Sequence, residues 1–307
     1  MPLLNGVVII DKPVGPSSNQ VMDRLKGRLR ACGLGRVKMG FLGTLDPIAS
    51  GVLPVFIGKS TKLISAFERL DKTYRVTVRL GQRTDTCDAE GKVIAEHDTA
   101  ALTPREVRAA VLSFQGMQAQ QVPRFSAVKV GGVPAYRLAR AGKPVPPRTR
   151  RVIIHQIDVE AVELPFATFR TTCSGGTYMR SLADSIGEKL GVGGHVTALR
   201  RLGCECLFTL ENSITLERVE EDLQTGGFGF LLNPSEFLPN YLPLIVEDHS
   251  ERQLRDGRII PIAKESASLR PAAKVKALRP SGVLVAIGEV VPYRRDVLGF
   301  QPTKVLV

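Results

Sequence analysis

The segment FLGTLDPIASGVLP, residues 41–54, carries one charged side chain, Asp46, at the mouth of an apolar run. Pro47, directly behind it, pushes Asp46 out of helical backbone into an extended conformation. Two uses fit such a residue. Asp46 can cap a short helix, with Pro47 at the first helical position and Gly51 closing the turn. Alternatively, a carboxylate at the edge of a core can act as a nucleophile or a base. Asp85 and Asp88 lie in the turn-rich stretch TDTCDAEG and could supply the second carboxylate that glycoside hydrolysis needs. Arg180 has Asp184 four residues on, the spacing of a helix-surface ion pair. The five cysteines are odd in number and scattered, which argues against a disulfide framework. Cys204 and Cys206 are the one close pair, with no histidine nearby in sequence. A strand turning both toward one face explains them, and no metal site is expected.

The surrounding elements follow from pattern. GVVIIDKPVGPSS reads as a short strand ending in a Gly/Pro/Ser turn. Residues 18–32 carry Val21, Met22, Leu25 and Leu29 at helical spacing. TYRVTVRLG, 73–81, alternates as a half-buried strand, and TDTCDAEGKVI follows as a turn and return strand. Thr103 before Pro104 marks the start of a helix over 103–114. FATFRTTCSGG, 166–176, is a strand that turns at Gly175-Gly176 into an amphipathic helix ending near Gly191. NPSEFLPNYLP, 233–243, reads as a linker, and 240–307 as short apolar strands separated by turns. The apolar elements of the larger unit all precede residue 235, so that unit is predicted to fold without the tail.

The chain has 307 residues, 43% hydrophobic and 23% charged, the composition of a soluble globular protein. That length suggests two domains. A net charge of +12 and a pI near 9.7 point to a polyanionic partner, with nucleic acid first. Both parts are basic: residues 240–307 carry 11 Lys+Arg and 7 Asp+Glu, net +4, leaving +8 for the rest. From Arg124 to Ile157 there are eight Lys/Arg residues, no Asp or Glu, and two aromatics, Phe125 and Tyr136. Such a stretch suits an arm on a nucleic-acid backbone; a solvated basic loop is the plainer reading. The start lacks a basic leader and no apolar run reaches 18 residues. A cytoplasmic protein, without signal peptide or membrane helix, is therefore expected.

Five stretches in order resemble the TruB-type tRNA pseudouridine synthases: DKPVGPSS (11–18), GFLGTLDPIASGVLPVFIGKSTK (40–62), DKTYRVTVRLGQRTDT (71–86), VPRFSAVKVGGVPAYRLARAG (122–142) and CSGGTYMRSLADSIGEKLGVGGHVTALRRL (173–202). The resemblance spans roughly residues 5–205. The tail is similar to the small β-rich RNA-binding domain of the PUA kind. The resemblance implies an α+β pseudouridine synthase fold: a mixed, largely antiparallel sheet flanked by helices and loops over 1–238, then a PUA-like domain over 239–307. It implies isomerisation of uridine to pseudouridine at position 55 of the T-arm loop of tRNA, after the base is flipped out. No cofactor is implied, and a monomer is expected. Asp46 falls at the family's nucleophile position. Arg180 matches the arginine that keeps it charged, and Tyr74 the tyrosine that stacks on the target base. Tyr178 and Leu199 match positions lining the uridine pocket. Lys12 and Pro13 match a motif bracing the active-site loop. The basic arm, about 124–151 with Arg148, Arg150 and Arg151, matches an RNA-gripping insertion.

Two positions depart from the family pattern. Phe41 stands where histidine is usual, and Gly175 where lysine is usual. Phe41 is expected to present its ring to RNA by stacking alone. A non-catalytic tRNA-folding chaperone is the competing class, against which the joint presence of Asp46, Arg180 and Tyr74 speaks. The glycoside hydrolase reading gives the basic arm no role.

Overall fold

The computed structural model describes residues 4–126, 128–262, 270–294 and 297–307. The chain start at 1–3 and four charged residues of the tail, 264, 265, 295 and 296, lie outside the described residues. In chain order the first elements are β1 (Gly6–Lys12), α1 (Ser18–Ala31), β2 (Met39–Phe41), β3 (Ala49–Ile57), α2 (Ile64–Phe67), β4 (Lys72–Leu80), β5 (Gln82–Thr84) and β6 (Val93–Glu96). There follow α3 (Pro104–Leu112), β7 (Gly116–Gln121), the small hairpin β8 (Lys129–Val130) and β9 (Val133–Pro134), α4 (Ala135–Arg140), β10 (Thr149–Glu163) and β11 (Phe166–Cys173). Then come α5 (Met179–Lys189), β12 (Gly194–Cys204), β13 (Phe208–Thr209), β14 (Ile214–Thr215) and α6 (Leu216–Gln224).

Local chemistry explains the helix starts. Ser17 and Gln20 close a capping box on α1, and Thr103 and Glu106 close one on α3 behind Pro104. Val21, Leu25 and Leu29 form the buried stripe of α1. The strand β4 alternates as expected, with Tyr74, Val76, Val78 and Leu80 inward.

Ten strands form one sheet, in the order β14-β1-β3-β12-β4-β11-β10-β7, with β13 beside β12 and β2 beside β3. The pairs β1–β14 and β3–β12 are parallel; the other pairings are antiparallel. The fold is α+β, with a mixed and largely antiparallel sheet. The strands β1 and β3 are buried almost along their whole length because both of their faces are covered, whereas β4 is buried on one face only. On β1 and β3, Val8, Ile10, Leu53, Val55 and Ile57 enter the main core under α1, α3, α5 and α6. Val7, Ile9, Val52 and Phe56 enter a second core on the opposite face.

A separate C-terminal β-rich domain holds β15 (Leu242–Ile245), α7 (Asp248–Arg255), β16 (Ile260–Pro261), β17 (Lys274–Leu278), β18 (Leu284–Arg294) and β19 (Val297–Val305). Its sheet order is β15-β17-β18-β19-β16. Its own core is built on Val275, Ala277, Val285, Val290 and Phe300. Leu284, Ile287 and Leu306 instead pack into the second core of the large sheet, against the group that includes Phe56 and Phe208. The tail thus seals a face of the larger unit, and the expectation that this unit's packing ends before residue 235 does not hold. Nor is 233–243 a free linker. Phe237 is buried there, and its ring stacks on Phe208 at 4.8 Å between centroids. No described helix is long and apolar enough to cross a membrane.

Candidate active site

The loop between β2 and β3 carries Asp46. No helix starts there: the Asp46 carbonyl accepts from Ala49 N–H at 3.0 Å, closing a turn that leads into β3. The helix-cap reading of Asp46 is therefore wrong; Pro47 serves a turn instead. The loop is tied down from three sides. Ser18 Oγ, buried on α1, donates to the Leu45 carbonyl at 2.9 Å and accepts from Leu45 N–H at 2.8 Å. Gly15 N–H donates to the Pro47 carbonyl at 2.9 Å. Arg201 of β12 donates to the Val52, Leu42 and Gly43 carbonyls.

Asp46 Oδ2 lies 2.9 Å from Arg180 Nε. The guanidinium is 6% exposed and the carboxylate 37% exposed, so the anion faces outward from a buried cation. Arg180 sits in the first turn of α5, whose Met179, Leu182, Ala183 and Ile186 are buried. Its other nitrogens are also engaged: Nη1 donates to the Thr86 carbonyl at 3.1 Å and Nη2 to the Phe125 carbonyl at 2.9 Å. A planar fork held at three points keeps one geometry. Asp184 does not pair with Arg180. It receives Arg83 Nε at 3.0 Å and Nη2 at 3.1 Å, because the first turn of α5 points Arg180 inward while Asp184 meets β5.

Asp88, which the sequence places in a turn-rich stretch and offers only to a glycoside hydrolase reading, reaches the site. It is buried, with Oδ2 3.6 Å from Arg180 Nε. Thr86 Oγ1 donates to its Oδ1 at 2.5 Å, and Glu90 N–H does so at 3.1 Å. The hairpin loop is pinned to β12 by Ala89 N–H on the Val196 carbonyl and Val196 N–H on the Cys87 carbonyl. Asp85 turns away and accepts from Lys92 N–H at 2.7 Å, as a loop-closing group.

These charges shift one another. Burial pushes the Asp46 carboxyl above its usual range, Arg180 pulls it back down, and Asp88 pushes it up again. Glu90 is raised too, by burial first and then by Asp88 and Asp46. Burial draws the Lys12 ammonium down to about 8, against the opposing pull of Asp46 and Glu90. Lys12 Nζ donates to the carbonyls of Pro13 at 2.8 Å and Pro16 at 2.6 Å, which fixes the turn beside the Asp46 loop. Burial pushes the Tyr74 phenol up to about 12, so it stays protonated at neutral pH.

Tyr178, at the start of α5, is half-buried; its backbone exchanges two hydrogen bonds with the Gln120 side chain, at 2.7 and 2.9 Å. Leu199 is 8% exposed on β12 and belongs to the main core. Phe41 ends β2, half-buried, and packs against that same core. All eight basic residues of the arm are exposed. Arg148 Nη1 donates to the Lys129 carbonyl at 3.2 Å, and Arg150 Nη1 to the Gly176 carbonyl at 3.0 Å. A Cβ on Gly175 would meet the Glu68 carbonyl oxygen at 2.7 Å and Lys72 Nζ at 3.1 Å, so this chain has closed the space where a lysine stem would begin.

Cys204 is buried at the end of β12, whereas Cys206 is exposed beyond Glu205 at φ 48, so the two do not share a face. Among the described residues no cluster of three His, Cys, Asp or Glu could hold a metal ion. Sequence reasoning missed Arg201 and Ser18 and left Asp88 outside the site. A signal for Arg201 was present: Arg200-Arg201 interrupts an otherwise mostly apolar central strand, where charge is costly unless satisfied.

The chain matches two family models, the TruB family pseudouridylate synthase N-terminal domain over residues 31–179 and the tRNA pseudouridylate synthase B C-terminal domain over 180–226. The second match lies within the large sheet unit, ahead of the small β-rich domain. A tRNA pseudouridine synthase B of Geobacter sulfurreducens is 38% identical over 293 residues, covering 93% of each chain. Another, of Burkholderia lata, is 44% identical over 266 residues, covering 85% of this chain and 79% of its own. The fold is shared with a chain in the structure of an H/ACA RNP bound to a substrate RNA containing 2′-deoxyuridine, with a TM-score of 0.69, 22% identity, and 98% and 85% of the two chains covered. It is shared equally with one in a Cbf5-Nop10-Gar1 complex, with a TM-score of 0.69, 24% identity and the same coverage. With matched models over most of its length and relatives this similar across nearly all of it, the chain belongs to the TruB family of pseudouridylate synthases.

Proposed function

We propose that this chain isomerises uridine to pseudouridine in tRNA, at position 55 of the T-arm loop, with Asp46 as nucleophile. The observation that carries the reading is the Asp46–Arg180 pair: an outward-facing carboxylate held on a buried, fully engaged guanidinium at 2.9 Å. The reaction breaks the N1–C1′ bond, turns the base and joins C5 to the same C1′. C5 loses a proton and N1 gains one, so atoms balance without an oxidant or leaving group. Attack by Asp46 at C1′ needs the carboxylate as an anion, and so does the other route, removal of a sugar proton. Arg180 supplies the charge that opposes the protonation burial would favour.

Tyr74, with its phenol at about 12, serves as a stacking wall and proton donor rather than as a base. Tyr178 and Leu199 line the pocket beside it. Lys12 and Pro13 brace the turn that abuts the Asp46 loop. Extruding a stacked uridine costs a few kcal/mol. Phosphate contacts from Arg148, Arg150, Arg151 and their neighbours in the arm offset that cost. Residues 1–238 form the catalytic unit and 239–307 a PUA-like RNA-binding domain in this reading.

Asp46→Asn keeps the shape and removes the anion. Expected are tRNA binding within a few fold of wild type and no detectable pseudouridine in a T-arm transcript. Substantial turnover in that variant removes Asp46 from the mechanism, and conversion at other uridines removes the position.

A further inference from the structure

We infer that Arg201 is a positioning residue that sets the geometry of the Asp46 loop through backbone carbonyls, without itself touching substrate. The inference rests on the catalytic reading above and names the part of the fold on which it depends. Arg201 is 1% exposed and heads the largest fully buried side chains. Among the described residues it forms no ion pair. An unpaired buried guanidinium costs several kcal/mol unless its donors are satisfied. Two of its nitrogens are spent on one loop: Nε donates to the Val52 carbonyl at 2.6 Å, and Nη2 to those of Gly43 at 3.0 Å and Leu42 at 3.3 Å, with the Tyr74 phenol beside the guanidinium. Leu42 and Gly43 precede Asp46, and Val52 follows it. One rigid fork therefore grips both stems of the loop.

The loop is shaped around that fork. Gly43 has φ +67, and a Cβ there would lie 3.0 Å from Arg201 Nη1. Gly51 has φ +99, and a Cβ there would collide with the Arg201 backbone. The sheet register reinforces the arrangement. Tyr74 lies opposite Arg201, Arg201 opposite Gly51, and Gly51 opposite Lys12, one row across β4, β12, β3 and β1. Arg200, by contrast, is 37% exposed and makes an ordinary ion pair to Asp11 at 2.8 Å. Apolar side chains of similar volume often replace buried ionic groups without loss of stability. What they lack is the directed fork, and misplacement of a reacting group by 1 Å can cost about 100-fold in rate.

The test compares Arg201→Met and Arg201→Lys with wild type in single-turnover conversion of a tRNA transcript, normalised to folded protein, with tRNA affinity and amide exchange of residues 42–49 measured in parallel. Expected for Arg201→Met are a rate about 100-fold lower, tRNA affinity within about 3-fold of wild type, and faster exchange confined to the loop. Arg201→Lys, which keeps the charge and one donor point, should recover part of the rate. The Lys12 ionisation, held down in part by Arg201, should move up in Arg201→Met. A folded Arg201→Met that turns over like wild type overturns the inference, as does unchanged loop exchange or an equal loss of binding and rate. If Arg201→Met does not fold, Gly43→Ala presses on the same fork from an exposed position. It should lose about 10-fold in rate with tRNA affinity kept, and an unchanged rate overturns the inference. A wild-type chain that converts no uridine would instead overturn the catalytic reading, and the loop-exchange result would stand apart from it.

Discussion

Replacing Arg180 by methionine keeps a long side chain and removes the charge beside Asp46. Opposite unit charges about 4 Å apart interact by about 4 kcal/mol at an effective dielectric of 20. Asp46 exposes 37% of its side chain, so solvent screening reduces that figure, by about half, to ~2 kcal/mol. At ~1.4 kcal/mol per decade this is about a 30-fold smaller ionised fraction wherever protonation limits the rate. The sign follows from the folded state. Burial already raises the Asp46 carboxyl, and Asp88 raises it further; without Arg180 only the weaker pull of Lys12 opposes them. The acid limb of the rate profile therefore moves to higher pH, and activity lost near neutrality returns as pH rises. Arg180→Lys should keep the acid limb near its wild-type position. Its overall rate should still fall, since one ammonium cannot span Asp46 and the Thr86 and Phe125 carbonyls together. Single-turnover conversion of saturating enzyme–tRNA complex from pH 5.5 to 8 measures both. An Arg180→Met profile of wild-type shape, lowered uniformly or unchanged, would refute the claim that this arginine holds Asp46 ionised.

Neutralising Arg148, Arg150 and Arg151 should weaken tRNA binding and lower the log–log salt slope by about 0.7–0.9 per lost phosphate contact; an unchanged slope makes the arm a solvated loop. Phe41→Ala should lose roughly 10-fold in kcat/KM, since base–aromatic stacking is worth about 1–3 kcal/mol, while Phe41→His stays within a few fold. Because Phe41 also packs on the main core, Tm is measured alongside, and a lower Tm with unchanged kcat/KM leaves the ring as packing only. A chain ending at residue 238 loses Leu284, Ile287 and Leu306 from the second core, contacts worth about 1.5–3 kcal/mol per fully buried side chain. Its Tm should drop by about 10 °C or more, and an unchanged Tm by calorimetry would show that the shared face carries no stability.

The sequence by itself determined most of the elements and the residues able to do the chemistry. Capping boxes at Ser17–Gln20 and Thr103–Glu106, the stripe of α1 and the alternation of β4 are local rules, satisfied within a few residues. The motifs around Asp46, Tyr74 and Arg180 are likewise contiguous strings. Partners were another matter. Helix spacing alone allowed an Arg180–Asp184 pair, while the family resemblance put Arg180 beside Asp46; the inward turn of α5 sends Arg180 to Asp46 and, unforeseen, to Asp88, and leaves Asp184 to Arg83. Tail residues look like a self-contained unit in the sequence, while Leu284, Ile287 and Leu306 complete a core whose other half lies 50 to 300 residues away. The role of Arg201 depends on β12 lying between β3 and β4, and on the register that aligns Lys12, Gly51, Arg201 and Tyr74. Strand order is chosen by burial of both faces of the sheet at once. That is a property of the whole chain's packing, to which no local window of residues has access.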